Sequence, residues 1–182
     1  MNFELENKVA LVTGGSKNIG KEIALSLASE KVNIAFTYNS SENQAEETLN
    51  EIKKFGVQAR AYKLDISKFN ETQDVLQKIY KDFGNIDILI NNAGFTKIKK
   101  FLETNIDDWN KQIDISLKGT IYCCHLVSKK MIDNQDGRII NIVGDSSRIG
   151  EANLAITAAA RGGTIALGLS LIHIWRCRRE GS

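Results

Sequence analysis

Residues 9–20, Val-Ala-Leu-Val-Thr-Gly-Gly-Ser-Lys-Asn-Ile-Gly, constrain this chain more than any other stretch. An apolar run, Val9 to Val12, ends in a glycine-rich turn. The turn opens an amphipathic segment with Ile19, Ile23, Ala24 and Leu27. The pattern reads strand, tight loop, helix. At such a junction free backbone N–H groups and the positive end of the helix dipole face an incoming anion. Gly14, Gly15 and Gly20 let the backbone turn sharply and approach a phosphate closely. A glycine pattern alone is as often a plain turn; the flanking strand and helix are the context that a phosphate site requires.

The same alternation continues along the chain. Strands are expected at 8–13, 32–38, 58–64, 87–91 and 138–143, and helices at about 18–29, 42–55, 69–82, 106–132 and 153–168. Val75, Ile79 and Tyr80 mark the apolar stripe of the third helix, and Trp109, Ile113, Leu117 and Ile121 that of the fourth. Strands that are apolar on both faces and alternate with helices imply an α/β fold with a Rossmann-like doubly wound parallel sheet. A length of 182 residues suits one domain. No apolar run approaches the about 20 residues needed to span a bilayer. The first residues also lack the zones of a signal peptide.

A net charge of +2 argues for neither a nucleic-acid nor a membrane partner. Cys123 and Cys124 are neighbours in an expected helix and point apart, so with Cys177 they make neither a disulfide nor a metal site. A reducing cytoplasm fits that usage. The chain has no proline, and nothing in its pattern explains this.

In a doubly wound sheet, ligands bind at the carboxyl ends of the strands. After the first strand come Gly14, Ser16, Lys17, Asn18, Ile19 and Gly20. After the second come Tyr38, Asn39, Ser40 and Ser41, without the carboxylate that would hold the ribose 2′-hydroxyl of NAD. Lys17, Asn39 and Ser40 tolerate a 2′-phosphate better, which favours NADP over NAD. The alternative is that 38–40 are only a turn and Lys17 only a solvated side chain. After the third strand, Asp65 is placed to accept from an adenine amine or to cap the next helix. After the fourth come Asn91, Asn92, Ala93 and Gly94, small enough for close approach to a ribose, or simply a turn.

These pieces together resemble the short-chain dehydrogenase/reductase family. Residues 13–20 resemble its cofactor loop, Leu64-Asp65-Ile66 its adenine-side motif, and Asn91-Asn92-Ala93-Gly94 its fourth-strand signature. The resemblance covers residue 5 to about 168 and is closest in flavour to the 3-oxoacyl-carrier-protein reductases. It implies an NAD(P) cofactor, hydride transfer to or from a small-molecule carbonyl or alcohol substrate, and a homo-oligomer in the full-length form.

The resemblance also implies a tyrosine that exchanges a proton with the substrate, a lysine four residues later, a serine and an asparagine. The flanking residues place these at Thr157, Arg161, Gly144 and Ser116, and none of the four matches. A threonine hydroxyl does not ionise in a useful range. Arg161 can still hold a ribose but stays charged. Gly144 has no hydroxyl, and Ser146 is the nearest candidate substitute; alternatively Ser146 and Ser147 only shape a polar loop. Asn18 departs too, where the family usually has glycine, but asparagine accepts left-handed backbone angles. The expected protein is therefore either a divergent NADP-dependent oxidoreductase or a non-catalytic NADP-binding member with a regulatory or structural role. Residues 1–168 form its single, C-terminally incomplete domain. Residues 169–182 resemble the translation of a sequencing adapter and are expected to be a non-native tail.

Overall fold

The computed structural model describes residues 4–176. Five strands, β1 Val9–Val12, β2 Asn33–Tyr38, β3 Ala59–Lys63, β4 Ile88–Asn91 and β5 Arg138–Asn141, form one sheet in the order β3-β2-β1-β4-β5. Every neighbouring pair is parallel, with Val12 opposite Phe36 on one side and Ile90 on the other. The strand order reverses between β1 and β4, and a crevice opens there at the carboxyl ends.

Helices α1 Asn18–Ser29 and α2 Glu42–Lys53 cover one face of the sheet, and α3 Phe69–Phe83 and α5 Gly119–Asp133 cover the other. Period-two alternation along each strand divides the core. Ala10, Val12, Ile34, Phe36, Ile88 and Ile90 pack toward α1 and α2. Leu11, Ala35 and Leu89 pack toward Val75, Leu76 and Ile79 of α3 and Val127 and Met131 of α5. Burial of each large apolar side chain contributes about 1.5–3 kcal/mol, so β1, buried at all four positions, anchors both halves.

The region expected as one helix over 106–132 is broken. Helix α4 spans Ile106–Ile113, a π-helical segment spans Asp114–Lys118, and α5 follows. The expected stripe is also out of phase: Trp109 is 36% and Ile121 39% exposed. The inward face instead carries Asp108, Gln112, Ser116 and Thr120, all buried and spaced four apart. A short helix, α6 Ser146–Ile149, was not expected, and the last helix, α7, spans Ala155–Arg176.

Within α7, Ala155–His173 is long and apolar enough by composition to cross a membrane, which corrects the expectation that no such run exists. Its residues Thr157, Ala160 and Thr164 are buried, and Thr164 Oγ1 donates to the carbonyl of Ser116, so the helix docks on the π segment. Ile140 of β5 and Leu169 and Ile172 of α7 remain exposed. Cys177, Arg178 and Arg179, with the rest of 177–182, lie outside the described residues.

Candidate functional site

The glycine loop is shaped by contacts that leave no room for side chains. Gly14 has φ +66°, and its N–H donates to Thr37 Oγ1 at 3.2 Å. A Cβ on Gly15 would lie 2.7 Å from Phe36 Cβ. One on Gly20 would collide with the Gly14 carbonyl and lie 2.5 Å from Asn92 Nδ2. Asn18 takes φ +50°, the left-handed region that asparagine accepts. No side chain caps the N-terminus of α1, and its first turn carries no acidic residue. The end of the helix is thus left to an anion.

Thr13 and Asn92 lock this loop to the end of β4. Thr13 Oγ1 accepts from the N–H groups of Asn92 and Ala93 at 3.0 Å each. Asn92 Nδ2 donates to the carbonyls of Thr13 and Gly14 at 3.0 and 3.1 Å. The Asn-Asn-Ala-Gly turn is therefore built into the glycine loop.

A cleft of about 840 Å³ runs along the carboxyl ends of the strands. At the β1–β3 end it is lined by Gly14, Ser16, Lys17, Asn18, Ile19 and Gly20, and beyond them by Asn39, Ser40 and Asp65. Asp65 does not cap α3, whose N-cap is Lys68. Its Oδ1 accepts from the Oγ and N–H of Ser67 at 2.6 and 3.2 Å, and these bonds hold the carboxyl below its usual range. Ala93 and Gly94 line the cleft further along.

Asn91 is a correction: its side chain is buried at 3% exposure under the sheet rather than lining the cleft. Its Nδ2 donates to Asn141 Oδ1 at 2.9 Å and to Cys124 Sγ. The strand period decides this, because Asn91 and Asn92 point to opposite faces. The motif keeps its place, but Asn92 is its working side chain.

At the β4–β5 end the cleft is lined by Gly144, Ser146, Thr157 and Arg161, together with Phe95 and Lys111. Positions far apart in sequence, on the β5 loop and α7, thus meet at one point. Ser116 lies just behind that wall: its Oγ accepts from Phe95 N–H at 3.2 Å, and it is not a lining residue. Arg161 packs its guanidinium over Gly94, where any Cβ would collide with it, and donates to the Ile142 carbonyl. Burial lowers its pKa.

Thr157 Oγ1 lies 2.5 Å from Gln112 Oε1. Gln112 is 1% exposed, accepts from Lys97 N–H at 3.2 Å and donates to the Asp108 carbonyl at 3.0 Å. The Asp108 carboxylate lies 2.5 Å from Lys97 Nζ and 3.0 Å from Lys99 Nζ. The two ammonium groups bring its pKa down to about 2. Sequence reasoning missed Gln112 and Asp108. Their four-residue spacing with Ser116 and Thr120 was the available signal, hidden by a competing apolar stripe on the neighbouring phase.

Comparison with known proteins agrees with this fold. The family model for short chain dehydrogenases matches residues 8–176. The chain is 39% identical over 156 residues to the 3-oxoacyl-(acyl-carrier-protein) reductase FabG of Staphylococcus epidermidis, covering 84% of this chain and 64% of that protein. It is 34% identical over 173 residues to the 2-dehydro-3-deoxy-D-gluconate 5-dehydrogenase of Formosa agariphila, covering 95% and 66%. Its fold superposes on an NAD+-bound xylitol dehydrogenase with a TM-score of 0.90 at 30% identity, covering 95% of this chain and 66% of that one. The chain belongs to the short-chain dehydrogenase/reductase family, with a Rossmann-like fold, and is similar to 3-oxoacyl-carrier-protein reductases. It spans about two thirds of the length of these relatives.

Proposed function

We propose that the cleft holds NADP and that the protein is an oxidoreductase acting on a small carbonyl or alcohol compound. The observation that carries this is the glycine cradle at the uncapped, acid-free N-terminus of α1. Gly14, Ser16, Asn18, Ile19 and Gly20 would hold the pyrophosphate, Ala93, Gly94 and Arg161 the nicotinamide ribose, and Asp65 the adenine. Lys17, Asn39 and Ser40, with no carboxylate after β2, favour the 2′-phosphate of NADP over NAD. Bound there, the dinucleotide supplies or receives the hydride.

The proton is the harder part. The Thr157 hydrogen is directed at Gln112, and Arg161 stays protonated. Ser146, 8% exposed at the cleft wall, is the side chain left to hold the substrate oxygen or a water beside it. The same commitment of the Thr157 hydrogen favours the second reading, a member that binds NADP without turnover. Relatives point to 3-oxoacyl thioesters and to sugar acids as first compounds to assay.

Fluorescence titration with NADPH and NADH tests the cofactor reading; failure of both to bind would sink it. NADPH oxidation with 3-oxoacyl thioesters and simple ketones then separates the two readings. Turnover that disappears in Ser146→Ala, with NADPH binding kept, supports the enzyme. Binding without turnover, with activity created by Thr157→Tyr plus Arg161→Lys, supports the silent form.

We further propose that residues 1–168 are the dinucleotide domain, that 169–182 are adapter-derived, and that the full-length protein is a cytoplasmic homo-oligomer. Helix α7 runs unbroken through Leu169, so resequencing across that codon decides the tail.

A further inference from the structure

We propose that the β4–β5 end of the cleft takes a small hydroxylated carboxylate, with a hydroxyl donating to Thr157 Oγ1 and the carboxylate facing Lys111. This rests on the reading above only in taking that end as the substrate end.

The hydrogen-bond direction at Thr157 is determined by its surroundings. Gln112 Nε2 donates to the Asp108 carbonyl and Gln112 Oε1 accepts from Lys97 N–H, which fixes which end of the amide faces Thr157. An oxygen acceptor at 2.5 Å obliges Thr157 to be the donor. A hydroxyl has one hydrogen and two lone pairs. With the hydrogen turned inward, Thr157 offers the cleft only acceptor capacity. A carbonyl oxygen placed there would meet lone pairs, whereas a hydroxyl donates into them.

The charge around that position is positive. Lys111 Nζ sits 4.5 Å from the Phe95 ring centroid, and among the described residues it has no carboxylate within ion-pair distance. The Arg161 guanidinium is partly buried and likewise has no carboxylate partner among the described residues. Two nearby acids are already neutralised, Asp108 by Lys97 and Lys99 and Asp114 by Lys118 at 2.8 Å, while Asp107, one turn before Lys111, and Asp145, between Gly144 and Ser146, do not line the cleft. Asp65 is the one carboxylate among the described lining residues, and it lies after β3 at the far end of the sheet. Two unpaired cations at one end of a half-enclosed cleft raise the local concentration of an anion. An uncharged acyl chain uses neither of them.

Calorimetric titration of the chain, with and without NADPH, tests this with three probes: D-gluconate, xylitol as a neutral polyol and hexanoate as an unhydroxylated acid. Gluconate should bind about tenfold tighter than xylitol, the scale of one charge-assisted hydrogen bond, and several-fold tighter than hexanoate, the scale of a neutral one. Lys111→Gln should erase the preference for gluconate over xylitol. Thr157→Val should weaken both polyols and leave hexanoate unchanged, and Thr157→Ser, which keeps the acceptor, should restore them. Equal affinity for gluconate and xylitol, or gluconate binding untouched by Thr157→Val, overturns the inference. NADPH titrated into the same samples keeps the readings apart. Loss of NADPH binding with gluconate preference intact sinks the dinucleotide reading alone. NADPH binding without the preference sinks this one alone.

Discussion

Thr157 donates its hydroxyl to Gln112 Oε1 across 45 residues of sequence, at a point where both side chains are buried. That bond joins α7 to α4, and through Lys97 N–H it also holds the loop after β4. Replacing Gln112 with leucine removes the partner of two largely buried donors, the Thr157 hydroxyl and the Lys97 N–H. A loss of about 1–3 kcal/mol is expected, the cost of unsatisfied buried polar groups. Urea unfolding of Gln112→Leu, Thr157→Val and the double variant measures it. The double variant should lose less than the sum of the singles, and strict additivity would show that the bond contributes nothing.

Glycine substitutions should separate two kinds of crowding. At Gly20 a methyl group meets the Gly14 carbonyl and Asn92, both held by hydrogen bonds. Gly20→Ala should therefore lower the melting temperature and abolish NADPH binding. At Gly94 the obstacle is the end of the Arg161 side chain, which can swing away. Gly94→Ala should keep the melting temperature within about 2–4 °C, the effect of roughly 1 kcal/mol in a domain of this size. Thermal unfolding of the two variants side by side gives the comparison.

The preference for NADPH should reside in Lys17, which is exposed at the cleft and lies just before α1. Lys17→Ala should weaken NADPH by about tenfold, the scale of one charge-assisted contact to phosphate, while leaving NADH little changed. Parallel fluorescence titrations measure both. An equal loss for the two cofactors would assign Lys17 to the pyrophosphate instead.

Asp108 gives a pH dependence with a defined sign. Its folded pKa is lowered to about 2 by Lys97 and Lys99, below the unfolded carboxylate value near ~3.9. Its stabilisation is present above the unfolded value and is lost as pH falls toward 2. Asp108→Asn should thus be less stable than the parent at pH 6, with the gap closing between about pH 4 and 2. A gap that stays constant with pH would mean that the side chain acts by packing alone.

Cys123 and Cys124 should resist alkylation. Both are free and buried; burial pushes the Cys124 thiol up to about 11 and the Cys123 thiol up further. Mass mapping after iodoacetamide at pH 8 should find the peptide holding both unmodified until denaturant is added. Labelling of the native protein would show that α5 opens.

The sequence alone determined the sheet, because the physics of that sheet is local. The strands β1 and β4 are apolar runs buried at every position, and β1, α1, β2 and β4 begin and end within a residue or two of their expected limits. The glycine loop was legible for the same reason: its strand, glycines and helix are contiguous. The break in the fourth helix was not legible, because π segments are rare and the side chains that pack on this one come from elsewhere in the chain. One of them is Thr164 of α7, whose hydroxyl lies 3.3 Å from both the Ser116 carbonyl and the Ala160 carbonyl of its own helix. The phase of α4 was misread because Asp108 and Gln112 are polar, and their burial depends on Lys97, Lys99 and Thr157, brought from elsewhere, as well as on the local bonds to Asn105 and the Asp108 carbonyl. At Thr157 the sequence showed which residue stands where a tyrosine was expected. Which way its hydrogen points, and so what the cleft can bind, depends on an amide 45 residues away, and tertiary packing alone fixes that direction.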